Sequence, residues 1–410
     1  MISVNFNFGV LFRTVTIGVL ALAATSACSS SGSPSTSSPT STQSLSSTCI
    51  TDPAAPLALV IGARSNTPKP SLPAFTDSLL EAAAAKGQQI SIVEIDGQPK
   101  ISEPPAFSST AGNAAANQDD LVTYLNDYYL GPLLNGKIHA QAPQANVLEA
   151  LDLASSAVGS DGNIILVDSG LQTVAPLEYQ ESDLVNATPS DVVAFLKQQD
   201  LLPHLSGRHV VLSGIGYTAA PQPPLDQAQR DNLVSQWEAI VKAAGACVTV
   251  DPTPNTASEI ASLPQVSIVE PPAPPTFTNI TSHGCGTVVL RDAGSVGFVV
   301  GKSSFRDPAG AQATLAQLAA ALKNGTEHIT LIGSTSSEGG DQVNDPLSSA
   351  RANAVKSVLV TLGIPGIRIT AIGDGSHWPG RVNDLGPGGV LLPGPAEQDR
   401  EVIVQLPKCT

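Results

Sequence analysis

Between residues 57 and 269 the chain repeats one pattern, and that pattern restricts the fold more than any other feature. Short, largely apolar runs lie at 57–62 (LALVIG), 90–95 (ISIVEI), 163–168 (NIILVD), 209–213 (HVVLS), 247–251 (CVTVD) and 266–269 (VSIV). Helix-forming stretches separate them at 79–86, 147–158 and 227–244, the last with Leu233, Trp237, Ile240 and Val241 at helical spacing. A continuous apolar run of this length reads as a strand buried on both faces. Helices between such strands imply right-handed crossovers and a doubly wound, mostly parallel α/β sheet. Any ligand crevice then lies at the carboxyl ends of the strands.

The order of these elements, over residues 49–270, resembles a von Willebrand factor A domain. The resemblance implies a platform for a protein partner, often through a bound metal. The family's first strand ends in Asp-x-Ser-x-Ser, and here the place reads Ala63-Arg64-Ser65-Asn66-Thr67. The Thr that precedes the family's next helix is Ala145, ahead of residues 146–151 (NVLEAL), while the third strand keeps Asp168. A hard divalent cation needs carboxylate oxygens. Ser65, Thr67 and Asp168 are a weak set, so no metal is expected.

Residues 271–275 (PPAPP) offer few backbone donors and favour extended conformations, which marks 271–284 as a linker. Beyond it the pattern changes. Residues 296–305 read as a strand. Residues 311–322 read as a helix with Leu315, Leu318, Ala319 and Leu322 on one stripe, and Asn324-Gly325 stops it. A strand at 328–332 leads to a second helix, with Asp345 as its cap, Pro346 at its first position, Leu347, Ala354, Val358 and Leu362 facing inward, and Gly363 at its end. Strands at 367–372 and 402–406 complete the order.

That order, with the signature it carries, resembles the OmpA-like peptidoglycan-binding domain across roughly residues 295–406, within a C-terminal domain of 285–410. The family reads Gly-His-Thr-Asp, then Gly, Asn, Leu-Ser and Arg-Ala at fixed spacing. The chain has Gly333, Thr335, Gly339, Asn344, Leu347, Ser348, Arg351 and Ala352 at that spacing, followed by residues 365–368 (PGIR), Gly373 and Gly375. Asp399-Arg400-Glu401-Val402 stands where the family has Asn-Arg-Arg-Val. The resemblance implies recognition of the peptide stem of peptidoglycan. Its diaminopimelate offers a carboxylate for an arginine fork and an ammonium for an aspartate. Arg351, Ser336, Thr335, Asn344 and Arg400 are the implied binding residues. Arg351 keeps the arginine role, but Ser336 replaces the family's Asp and Ser334 its His. A neutral hydrogen bond contributes about 1 kcal/mol against roughly 1.5–3 for a charged one. Glu338, Asp341 and Asp345 lie close enough in sequence to compensate, and Asp399 adds charge beside Arg400. The long segment 376–398 is rich in Gly and Pro, so irregular structure is expected there. Trp378 and Arg381 within it are either ligand contacts or packing residues.

The N-terminus reads as an export signal. Arg13 precedes an apolar run at 15–24, too short to span a bilayer, and Thr25-Ser26-Ala27-Cys28 follows. This resembles a bacterial lipoprotein signal, which implies removal of residues 1–27 and acylation, as by palmitate, of Cys28. Residues 29–48, almost without apolar side chains, read as a solvated tether of about 20 residues reaching at most roughly 60–70 Å. Four cysteines remain in an exported chain, and Cys49–Cys247 with Cys285–Cys409 is the preferred disulfide pairing, one per domain.

A formal charge of −15 over 410 residues argues against nucleic acid and against charge-driven docking on anionic lipid. There is no nucleophile motif, no histidine pair at metal spacing and no phosphate loop, so neither an enzyme nor a cofactor is expected. Two functions remain. One is a lipid-anchored cell-envelope protein that grips peptidoglycan and presents an α/β interaction domain. The other is an envelope scaffold whose OmpA-like domain has lost wall binding at Ser336.

Overall fold

A computed structural model describes residues 52–109, 113–181, 183–270, 275–277, 280 and 285–407. Cys28, the tether, Cys49, Cys409 and most of the 271–284 linker lie outside these residues.

The N-terminal half is a six-stranded sheet. Its strands are β1 (Leu57–Ile61), β2 (Ile90–Glu94), β3 (Lys100–Ser102), β4 (Asn163–Val167), β5 (His209–Ser213) and β6 (Cys247–Asp251). They lie in the order β3-β2-β1-β4-β5-β6, parallel except for the short edge strand β3. The doubly wound, mostly parallel α/β sheet expected from the apolar runs is therefore present. Each central strand feeds both faces, because side chains alternate along it. Ala58 and Val60 enter one core with Leu151, Leu212 and Trp237, while Leu57, Leu59 and Ile61 enter the other with Leu80, Ile92 and Tyr129. Helices α4 (Val147–Val158), α5 (Pro189–Gln198) and α6 (Gln227–Ala243) bury residues in the first core. Helices α1 (Thr76–Ala85), α2 (Ala114–Leu125) and α3 (Gly131–Leu134) bury residues in the second. Complete burial of each such side chain stabilises by roughly 1.5–3 kcal/mol. The indole N–H of Trp237 is satisfied by the Gly170 carbonyl at 2.8 Å.

Residues 266–269 do not form the expected strand. Side chains take their backbone groups instead. Asn66 Nδ2 donates to the carbonyls of Val266 and Ser267, and Gln144 Oε1 accepts from the Ser267 N–H. Gln222 brackets Val269 in the same way, accepting from its N–H and donating to its carbonyl. The segment lies over the crevice rather than in the sheet.

The C-terminal sheet contains β7 (Thr287–Arg291), β8 (Ile329–Gly333), β9 (Ile369–Gly373) and β10 (Glu401–Gln405). Its order is β7-β10-β8-β9, with β8 and β9 parallel and β10 antiparallel to both neighbours. Helices α7 (Pro308–Leu322) and α8 (Asp341–Thr361) supply Leu315, Leu318, Val355 and Leu359 to its core. Four expectations change here. The fully buried apolar positions of α8 are Ala352, Val355 and Leu359, while Leu347, Ala354, Val358 and Leu362 are only partly buried. The first strand is β7, and residues 296–305 instead turn back on themselves through one bridge between Phe298 and Phe305, whose rings stack at 5.0 Å. Helix α8 begins at Asp341 behind Gly340 (φ 68°), so Asp345 does not cap it and Pro346 lies inside it. Gly340 adopts that left-handed conformation at no steric cost and starts the helix a turn early. Finally, the 376–398 segment is not wholly irregular. Its end continues into a short helix, α9 (Pro393–Asp399), where Pro393 suits the first turn because its missing N–H would have had no helical partner.

Among the described residues, no helix is long and apolar enough to cross a membrane.

Candidate functional site

The signature residues converge at the C-terminal end of β8. Gly333 and its register partner Gly373 on β9 lie directly under α8, where an added Cβ would strike the Ser348 backbone or side chain. The two glycines therefore let α8 pack tightly on the sheet and fix Arg351 over the strand ends. Ser348 Oγ accepts from the Gly375 N–H at 3.0 Å, and the Thr335 N–H donates to the Gly375 carbonyl at 2.9 Å. Asn344 Nδ2 donates to the Ser336 carbonyl at 3.0 Å. Asn344 thus fastens the 334–340 loop against α8 directly, and Ser348 does so through Gly375, which holds Thr335.

The loop and helix bound a cavity of about 290 Å³, lined among others by Thr335, Ser336, Asn344, Leu347, Arg351 and Arg400. All five residues implied by the resemblance line it. Thr335, one of the lining residues, is only 2 % exposed, and its Oγ1 makes no hydrogen bond. A buried hydroxyl in that state costs stability unless water or a ligand satisfies it.

Two guanidinium groups govern the electrostatics. Arg351 is 3 % exposed, so it is not a solvated helix arginine. Its Nε donates to the Lys302 carbonyl at 3.2 Å, and its guanidinium carbon sits 5.1 Å from the centroid of the Phe298 ring. Burial lowers its pKa from the usual arginine value, and Asp292 opposes that shift. Arg400 is differently placed. Burial works against its charge, but Asp191 and Glu397 together hold its pKa above the ordinary value. Its Nη2 lies 2.5 Å from Asp191 Oδ2 and 3.3 Å from Ser336 Oγ, and its Nη1 lies 3.3 Å from Glu397 Oε2. Burial and Asp292 keep the Glu397 carboxyl well above the usual carboxylate range. Ser336, expected to meet a ligand ammonium, faces Arg400.

The candidate compensating carboxylates take separate places. Glu338 approaches Arg400 Nη2 at 3.6 Å from an exposed position. Asp341 pairs with His377 at 2.8 Å, also exposed. Asp399 turns from Arg400 to Arg381 Nη2 at 2.9 Å and accepts from the Val382 N–H. Arg381 also bonds Asp384 Oδ1 and Ser337 Oγ, so within the 376–398 segment it holds the loop down. Trp378 is half-buried.

The crevice of the six-stranded sheet is occupied from within. Arg64, fully buried, donates through Nε and Nη2 to both oxygens of Asp168, at 3.1 and 3.0 Å. Its Nη2 also reaches Ser169 Oγ and the Leu171 carbonyl. Thr67 Oγ1 donates to the carbonyls of Gly62 and Arg64. Sequence reasoning weighed Asp168 and Thr67 as weak cation ligands and passed over Arg64, the residue that meets Asp168.

Residues 298–386 match the OmpA family. This OmpA-like segment holds Arg351, Ser336, Thr335 and Asn344, while Arg400 lies beyond it. Solved structures similar to this part of the chain include the peptidoglycan-associated lipoprotein from Burkholderia pseudomallei, 24 % identical over 29 % of this chain and 88 % of that one, with a TM-score of 0.23. The cell wall anchor of the T6SS from Pseudomonas aeruginosa is 26 % identical over 30 % of this chain and 81 % of that one, with a TM-score of 0.23. The OmpA-like domain of FopA1 from Francisella tularensis is 20 % identical over 30 % and 75 %, with a TM-score of 0.22. No curated protein matches the chain.

The residue that sequence reasoning missed altogether is Asp191. It lies on α5 of the other sheet domain, 209 positions from Arg400, and no local pattern links the two.

Proposed function

We propose that the chain is a cell-envelope protein that binds peptidoglycan non-covalently through its OmpA-like segment, without catalysis. One observation carries this reading. Thr335, Gly339, Asn344, Leu347 and Arg351 of the family signature line a single cavity, among them a buried arginine and a threonine whose hydroxyl has no partner. In the reading, Arg351 takes a carboxylate of the diaminopimelate stem, Thr335 Oγ1 donates to the same group, and Ser336 and Arg400 border the ammonium end. Acylation at Cys28 anchors the chain to a membrane on its extracytoplasmic side, and Cys49–Cys247 and Cys285–Cys409 are the disulfides. The N-terminal domain, von Willebrand factor A-like in its element order, serves as a platform for a protein partner.

The test is co-sedimentation of the full chain, held in mild detergent, with purified peptidoglycan. The parent pellets, and Arg351→Ala raises the apparent dissociation constant at least about tenfold, as loss of a charged hydrogen bond requires. If the parent stays in the supernatant, the wall-binding reading fails and the scaffold reading replaces it.

A further inference from the structure

The Arg400 side of the cavity is not built by the OmpA-like segment alone. Thr188, which precedes the first residue of α5, lines the cavity beside Ser336 and Arg400. One turn further on, Asp191 meets Arg400 Nη2, the same nitrogen that faces Ser336 Oγ. The carboxylate is 5 % exposed and lies inside the contact between the two domains. A second ion pair, Arg291 Nη1 to Asp183 Oδ2 at 2.7 Å, holds the same junction, and α9 packs against α5. The helix that brings Asp191 is thus fixed from several sides.

We infer that Asp191 restores, from the N-terminal domain, the negative charge that Ser336 removes from the OmpA-like site, so that the ligand pocket is shared between the domains. This rests on the wall-binding reading above. Asp292 and the exposed Glu338 also line the cavity, but without Asp191 the buried Arg400 Nη2 would be left with Glu338 alone, at 3.6 Å, because the Glu397 carboxyl is held toward its neutral form. Such a pocket attracts anions and repels an ammonium. With Asp191 in place Arg400 is neutralised, Arg351 remains as the cationic pole, and the Arg400–Ser336 end becomes the pole that tolerates an ammonium. The pocket then matches a zwitterionic amino-acid group, one carboxylate and one ammonium a few bonds apart. Asp191 does not plug the site, because the cavity of about 290 Å³ remains open beside it. It is a positioning residue that acts through Arg400.

The experiment is calorimetric titration of the full chain with a soluble diaminopimelate-containing stem peptide. Four proteins are compared: the parent, Asp191→Asn, Ser336→Asp, and Asp191→Asn with Ser336→Asp. Asp191→Asn keeps the shape and removes the charge, and it is expected to weaken binding about tenfold. Ser336→Asp in the Asp191→Asn background puts the carboxylate back on the OmpA-like loop and is expected to restore binding. A role for Asp191 confined to holding the two sheets together does not predict that rescue. Unchanged or tighter binding by Asp191→Asn overturns the inference, and so does a double variant that stays as weak as Asp191→Asn. If the parent fails to bind the peptide at all, the wall-binding reading falls first and takes this inference with it.

Discussion

Among single residues, burial separates the groups that bear on binding from those that bear on stability. Glu401 belongs to the second kind. Its carboxyl is pushed up to about 7, chiefly by burial, with Asp399 and Asp183 adding to the rise and Arg291 opposing it. The folded state therefore holds a proton there that the unfolded chain releases near its ordinary value of 4.5. The stabilisation from this group is complete below about 4.5 and is lost as pH rises through about 7. Glu401→Gln removes that slope. It is expected to raise stability at pH 8 by about 1–2 kcal/mol, after allowance for partial exposure, and to change little at pH 4.5. Urea titrations at the two pH values check this; equal gains at both would rule out the protonation account. Residues were also where the sequence was least transparent. Arg351 and Thr335 were legible through their spacing. The engagement of Ser336 by Arg400, and of Arg400 by Asp191, was not, because those contacts are set by how two domains meet.

At the scale of elements, the site depends on how close α8 lies to β8 and β9. The paired glycines Gly333 and Gly373 set that distance. Gly373→Ala would place a methyl against Ser348 and Ser349 at the start of the turn that carries Arg351. Overpacking of this kind costs about 1–3 kcal/mol, and the expected result is a lower melting temperature together with weaker peptidoglycan binding. Loss of stability with binding unchanged would mean that α8 yields elsewhere. The element order of both domains was readable because apolar runs and helical periods are local signals. The errors came where side chains replaced strand partners, as at residues 266–269, or where a glycine with positive φ moved a helix start, as at Gly340. Helices α2, α3 and α5 and the edge strand β3 were passed over as well: α2 and α5 bury few apolar residues, α3 is four residues long, and β3 buries none.

For the molecule as a whole, the junction of the two sheets matters more than either sheet alone. It contains a buried ion pair, Arg400 with Asp191, and a more exposed one, Arg291 with Asp183. Removing one partner of a buried pair strands the other charge and costs about 3–5 kcal/mol, whereas an exposed pair contributes about 0–1 kcal/mol. The parent is therefore expected to melt in one calorimetric transition, with the domains coupled. Asp191→Ala combined with Asp183→Ala is expected to give two. A single unshifted peak in that variant would show that the domains are held by other contacts. A cavity lined from both sides of this junction, by Thr188 and by Arg351 and Arg400, couples the OmpA-like segment to the neighbouring sheet.

The Arg64–Asp168 pair has a consequence of a different kind. A crevice that depends on a mineral ion reports the composition of the fluid around it, and its occupancy rises and falls with supply. Here the positive charge is part of the polypeptide and cannot be washed out. The N-terminal domain should hold the same shape in chelator as in millimolar calcium or magnesium, with one melting temperature for all three. Such a domain keeps one shape while the ion content around it changes.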